Sequence, residues 1–225
     1  MMDKNHYQAL FEKANEYYGS DRAEILPFVP EGTETTLEFG CGLGDFSALV
    51  KKRFDTESWA VELHPEAAKT AAAKIDKVLN KDAIEALSEL PDNKFDAIFF
   101  LDILEHLIDP YSLLSACNQK LSDNGVLISS IPNIRYYRAL KNYVFKGQWE
   151  YKDQGLMDIT HIRFFTHSSI GNMFKRLGFD DVSLHGIHET RSNGYRILNA
   201  LSLNSLWDAR YKHFIAVARK SQNIR

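Results

Sequence analysis

The chain has 225 residues, 44% hydrophobic, 25% charged and 12% aromatic, a profile that excludes a fibre or a disordered tail. With 27 Lys and Arg against 30 Asp and Glu, its net charge of −3 lacks the basic excess of a protein that coats nucleic acid. Cys41 and Cys117 are too few for a disulfide framework or a cysteine-rich zinc site; with no apolar run near the roughly 20 residues of a membrane span and no signal-like N-terminus, the expected setting is a reducing cytoplasm.

In chain order, residues 5–18 read as a helix with Tyr7, Leu10, Phe11, Ala14 and Tyr18 on one side, ended by Gly19. Asp21 caps a second short helix through Leu26, stopped by Pro27 and Pro30. Residues 1–32 are expected to form a helical cap, and 33–225 one domain. Its first strand is Thr35 to Phe39, and a glycine turn from Gly40 to Gly44 opens a helix over 45–53. Trp59 to Val61 is a short strand, Pro65 to Asp76 a helix, and Lys77 to Leu79 a weak third strand. Phe95 to Leu101 is a strong fourth strand, apolar on both faces. Pro110 to Leu121 is a helix, Asp123-Asn124-Gly125 a turn, and Val126 to Ile131 the fifth strand. The aromatic and arginine-rich stretch 132–166 reads as a short helix plus an ordered loop. A helix over 167–177, strands at Val182 to Ile187 and His213 to Ala218, and a helical segment at 192–208 complete the chain. Continuous apolar strands alternating with helices imply a parallel sheet covered on both faces. Right-handed crossovers make it an α/β, doubly wound sandwich.

The segment Glu38-Phe39-Gly40-Cys41-Gly42-Leu43-Gly44-Asp45 lies between a strand and a helix, where glycines let the backbone turn sharply and approach a ligand. A dinucleotide fingerprint needs its third glycine at position 45, which is Asp45. A carboxylate at that helix start, with Glu38 just ahead, suits a ligand without phosphates and with positive charge.

This Glu-x-Gly-x-Gly-x-Gly turn resembles motif I of the class I S-adenosylmethionine (SAM)-dependent methyltransferases, and the strands Phe95 to Asp102 and Gly125 to Ile128 match that family's pattern. The resemblance covers about residues 33–131. It implies a seven-stranded, mostly parallel sheet with an antiparallel final strand, and SAM as cofactor. Glu38, Gly40, Cys41, Gly42 and Gly44 then serve the methionyl end. Glu62, at the end of the second strand, accepts the ribose hydroxyls. Leu63, Asp82 and Ala83 flank the adenine, and Leu101 is a further expected cofactor contact.

Topology places His106, after the fourth strand, near the cofactor; His161 lies in the segment that covers the acceptor in this superfamily. A histidine suits a general base that takes the acceptor's hydroxyl proton. Asp102, Glu105 and His106 have i, i+3, i+4 spacing, which one helical turn would gather on one face. With His161 this resembles the metal-dependent ubiquinone-pathway O-methyltransferases and the small-RNA 2′-O-methyltransferases, which use Glu-x-x-Glu-His plus a later His; Asp102 departs from that pattern, and the expectation is that these residues stabilise the loop without a metal.

The stretch from Ile131 to Thr166 resembles bacterial ubiquinone-methyltransferase-like proteins that often accompany glycan biosynthesis. Its aromatics suit a sugar or flat-ring pocket, and Arg135, Arg138, Lys141 and Arg163 suit a phosphate on a glycan precursor. The expected acceptor is a sugar hydroxyl on a glycan precursor or nucleotide-sugar, the alternative a phenolic or quinone-type small molecule. Segments 132–166 and 190–210 are expected to cover it.

Overall fold

The computed structural model describes residues 22–220, so the expected helix over 5–18 and the Asp21 cap lie outside the described residues. Seven strands form one sheet in the order β3-β2-β1-β4-β5-β7-β6. These are β1 Thr35–Phe39, β2 Glu57–Val61, β3 Lys77–Leu79, β4 Phe95–Leu101, β5 Leu121–Pro132, β6 Phe179–Glu189 and β7 Tyr211–Lys220. The five strands from β3 to β5 pair in parallel, and β7 runs antiparallel between β5 and β6.

Burial on both faces explains the apolar strands. Leu37, Phe39, Ile98 and Phe100 pack with Leu113, Leu114, Cys117 and Phe174 on one side. Ala97, Phe99, Val126 and Ile128 pack with Phe46, Val50 and Ile25 on the other. Residues Ala23–Phe28 form a 3-10 helix whose Ile25 is fully buried in that second core. The described part of the expected cap is therefore an integral layer of the domain.

The helices are α1 Asp45–Phe54, α2 Pro65–Ala71, α3 Ala83–Ala86, α4 Pro110–Lys120, α5 Tyr137–Phe145, α6 His167–Arg176 and α7 Asn193–Leu201. Three expectations need correction. Helix α2 stops at Ala71, not Asp76, because the Asp76 carboxylate accepts from Ser58 N (2.9 Å) and Lys51 Nζ (2.6 Å) and is drawn onto β2. The expected turn at Asp123-Asn124-Gly125 is a bulge inside β5: Phe95 pairs with Leu121 but Ala97 with Val126. Glycine is needed there, since a Cβ at 125 would lie 2.9 Å from Phe95 O. The helical segment 192–208 is broken after α7, where Leu203 and Asn204 take left-handed φ of 51° and 66°, and resumes as a 3-10 helix at Trp207–Arg210. Among the described residues no helix is long and apolar enough to cross a membrane.

Strand order reverses between β1 and β4. In an open α/β sheet the crevice outside the carboxyl ends of the strands at that switch point is where ligands bind.

Candidate active site

The glycine turn occupies the β1 side of this crevice. Gly40, Gly42 and Gly44 all have positive φ (70°, 54° and 76°), a conformation that side chains resist. A Cβ at 40 would lie 2.3 Å from Ile103 Cδ1, so the turn sits directly against the loop after β4.

Glu62 reaches from the end of β2 into the turn. Its Oε2 accepts from Gly42 N and its Oε1 from His64 N, both at 2.8 Å. Burial raises its pKa, opposed by those two backbone N–H groups. Each oxygen keeps a second lone pair, as a ribose diol requires. Asn80 donates to Glu62 O (2.8 Å) and Leu63 O (3.0 Å) and braces this corner, a role the sequence did not signal. Leu63 stands 55% exposed beside Glu62, an apolar face fit for a planar ring. Asp82 caps α3 by accepting from Ile84 N at 2.8 Å, and Ala83 is buried behind it. Leu101 packs partly buried at the end of β4.

Two charge expectations change. Asp45 pairs with Lys74 at 2.5 Å, so its charge is compensated rather than turned on the ligand. Glu38 is buried below the turn and accepts from the Ser47 hydroxyl of α1. Burial pushes its pKa up to about 7, with the nearby Glu62 charge adding to the rise. Burial likewise pushes the Cys41 thiol up, which leaves it a packing residue.

Beyond the end of β4, Glu105, His106 and His161 each offer a ligand atom, all within 4.8 Å of one another. The 3-10 helix Leu104–His106 supplies two of them, and the loop before α6 supplies His161. The backbone joins these segments, since Ile162 N and Arg163 N both donate to Glu105 O at 3.0 Å. Asp158 orders the cluster. Its Oδ1 accepts from Thr160 Oγ1 at 2.7 Å, so the Thr160 hydroxyl, 3.0 Å from His106 Nδ1, must accept from that ring. His161 Nδ1 lies 3.1 Å from Leu156 O and donates to it. In the neutral form, both rings therefore carry their lone pair on Nε2.

The Glu105 carboxylate is 1% exposed, and among the described residues neither of its buried oxygens has a hydrogen-bond partner. Burial first, then the charges of Asp102 and Asp158, raise its pKa well above the usual carboxylate range. His161 Nε2 stands 3.8 Å from Glu105 Oε1.

Asp102 does not join this cluster, contrary to the expected single helical turn. Its φ of 55° breaks helical geometry. Its carboxylate turns to Arg22, accepts from Ser130 Oγ at 3.0 Å, and lies 3.8 Å from His213 Nε2. Arg22 also donates to Ser130 Oγ at 2.7 Å. Neither Arg22 nor His213 carries a local sequence signal; they meet Asp102 only through the sheet.

The covering segment is built from aromatics, with Trp149 edge-on to Phe164 (5.3 Å between centroids) and Tyr143 5.7 Å from Trp149. Two of the expected phosphate ligands are engaged internally. Arg135 donates to Ser205 O (2.9 Å) and pairs with Asp208 (3.4 Å), and Arg163 donates to Ile108 O.

The switch-point crevice thus has the glycine turn and the Glu62 carboxylate on one side and the Glu105, His106 and His161 cluster on the other, the place where this class of α/β sheet takes a ligand. Residues 10–184 match the family described as "Methyltransferase domain", and the chain belongs to that family. A ubiquinone biosynthesis O-methyltransferase from Psychrobacter arcticus is 26% identical over 164 residues, 68% of this chain but 61% of the relative. A SAM-dependent methyltransferase from Archaeoglobus fulgidus superposes with a TM-score of 0.68 over 97% of this chain and all of its own, at 23% identity. The phosphoethanolamine N-methyltransferase 2 of Haemonchus contortus, in complex with S-adenosylhomocysteine, superposes at 0.60 over 90% of this chain and 53% of its own, at 19% identity. At these identities the two structures establish the shared fold.

Proposed function

We propose that the chain transfers the methyl group of SAM to a ring hydroxyl of a phenolic or quinone-type small molecule. One observation carries this reading: the curated relative similar over two thirds of the chain is named for O-methylation in ubiquinone biosynthesis. The engaged Arg135 and Arg163 weaken the sugar-phosphate alternative, while the Tyr143, Trp149 and Phe164 group suits a flat ring.

SAM supplies a methyl carbon activated by a sulfonium. The residues present fit it. Glu62 offers its remaining lone pairs to the ribose, and Leu63 and Asp82 flank the adenine. The turn Gly40, Cys41, Gly42 and Gly44, with Leu101 and Ala83 behind, lets the backbone approach, and Glu38 supports the turn from below. The protein's contribution is orientation of two reactants in line, exclusion of water by the covering segments 132–166 and 190–210, and proton removal. His106 and His161 face the acceptor.

The cluster also favours a second role for the same residues. A carboxylate and two imidazoles whose Nε2 atoms carry lone pairs are a donor set for a divalent cation, which would polarise the acceptor oxygen. Either role makes His161 necessary. The His161→Ala variant is expected to bind SAM in calorimetry as the parent does and to lose more than tenfold in turnover on catechol. Undiminished turnover removes His161 from the reaction.

A further inference from the structure

A cavity of about 480 Å³ lies between α7, the 3-10 helix Trp207–Arg210 and the adjoining ends of β6 and β7. Because β7 runs antiparallel to β5, its start lies at the carboxyl ends of the parallel strands. The cavity therefore stands on the same edge of the sheet as the crevice, but beyond β5. None of the described residues that line it belongs to the glycine turn, to the Glu62 corner or to the Glu105, His106 and His161 cluster.

Hydrogen bonds hold its walls in place. Tyr195, 7% exposed, donates its hydroxyl to Trp207 O at 3.1 Å. Asn199 accepts from Leu206 N at 3.2 Å and donates to Asn204 Oδ1 at 2.7 Å. Behind the wall, fully buried Asn133 donates through Nδ2 to Asp208 O (2.9 Å) and Tyr211 O (3.0 Å). The space is thus preformed, with α7 bonded to the loop that follows it and that loop bonded to the end of β5.

The charges lining the cavity do not cancel. Glu189 pairs with Arg210, whose guanidinium also lies 5.2 Å from the centre of the Tyr211 ring. Arg196, next to Tyr195 on α7, has no ion pair and no side-chain hydrogen bond among the described residues. Asn204 gives its Oδ1 to Asn199, and its amide N–H groups have no acceptor among the described residues. The unspent groups are one cation and a set of hydrogen-bond donors, the complement of an oxyanion. An inorganic ion would leave most of the space unfilled, whereas small-molecule sites span roughly 300–1,000 Å³. Trp207, 43% exposed, and Tyr211 supply apolar faces against which a flat ring can lie.

We infer that this cavity is a second small-molecule site, for a flat-ring compound that carries a carboxylate or a phosphate ester. Arg196 is its charge partner, Asn204 its hydrogen-bond donor and Trp207 its ring platform. The site goes beyond the proposed methyl transfer and does not depend on which acceptor is methylated.

The test uses the whole chain saturated with S-adenosylhomocysteine, so that the cofactor position is filled. Benzoate and phenyl phosphate are titrated in calorimetry, with uncharged benzamide and inorganic phosphate as controls. At least one ring oxyanion is expected to bind at a single site about tenfold or more tightly than either control, and which one does so separates the carboxylate source from the phosphate source. Arg196→Gln is expected to lose about tenfold in that affinity. Ala200→Trp, on the lining face of α7, is expected to abolish binding by filling the cavity. Both variants should hold S-adenosylhomocysteine as the parent does, which shows that they fold. Binding should quench indole emission in the parent and leave Trp207→Phe unchanged. Benzamide binding as tightly as benzoate, an unaltered affinity in Arg196→Gln, or no saturation by either ring oxyanion up to about 10 mM overturns the site. Failure of S-adenosylhomocysteine itself to bind counts against the methyltransferase reading, and the same titrations then decide the cavity on their own.

Discussion

Glu38, legible as part of a motif, is also a buried support of the glycine turn. The acid ahead of the glycine turn is 3% exposed and is tied to Ser47 rather than open to the crevice. Its folded pKa, raised to about 7, lies above its unfolded value. A raised pKa means that its stabilising contribution is complete below the unfolded pKa and is lost as pH rises through the folded one. The Glu38→Gln variant keeps an acceptor for Ser47 and has no charge to bury. Its stability relative to the parent is expected to rise by on the order of 2 kcal/mol between pH 4.5 and 8, read from urea midpoints. A difference that does not change with pH contradicts the buried, ionising carboxylate. The positions of Glu62 at the end of β2 and of Asp82 ahead of α3 were legible because a strand end followed by an acid is a local pattern. Arg22, Asp102 and His213 were not read together, because 80 residues separate the first pair and 111 the second, and only strand order makes them neighbours.

At the scale of elements, strands buried on both faces were readable from their continuous apolar runs, as in β4, whose residues from Ala97 to Phe100 are all buried. Element ends were less so, because side chains of other elements decide them: Asp76 is captured by β2, and the β5 bulge is fitted against Phe95. The glycine turn offers a paired test of what a neighbouring element contributes. Gly32 and Gly44 have similar φ, 81° and 76°. Alanine at 32 meets nothing within 4 Å, whereas at 44 its Cβ would lie 2.9 Å from Ala71 Cβ and 3.0 Å from Ala71 Cα in α2. Gly32→Ala is expected to cost about 1 kcal/mol of backbone strain alone. Gly44→Ala should cost about 2–3 kcal/mol and weaken SAM binding, because α2 must move away from the turn. Equal costs in chemical denaturation would mean that α2 does not press on the turn.

Over the whole molecule, the Glu105, His106 and His161 cluster is assembled from the loop after β4 and the segment before α6, which also meet through the Glu105 backbone. The buried Glu105 carboxylate, with no hydrogen bond to its oxygens among the described residues, is unfavourable as an anion and is relieved in the free protein by protonation, since burial raises its pKa. A divalent ion would relieve it more fully and would tie the covering segment to the sheet. Binding to the folded state alone adds about 2.7 kcal/mol at a free ion concentration 100 times Kd. After treatment with a chelator and its removal, the protein is therefore expected to gain several degrees in Tm on titration with Mn2+ or Zn2+. Glu105→Gln should raise the stability of the metal-free protein, since it removes a buried carboxylate, and should abolish the response to the ion. Those opposite signs separate a binding site from mere loss of packing. A parent protein whose Tm ignores both ions, or a Glu105→Gln variant that still responds, leaves the two histidines as proton-handling groups only.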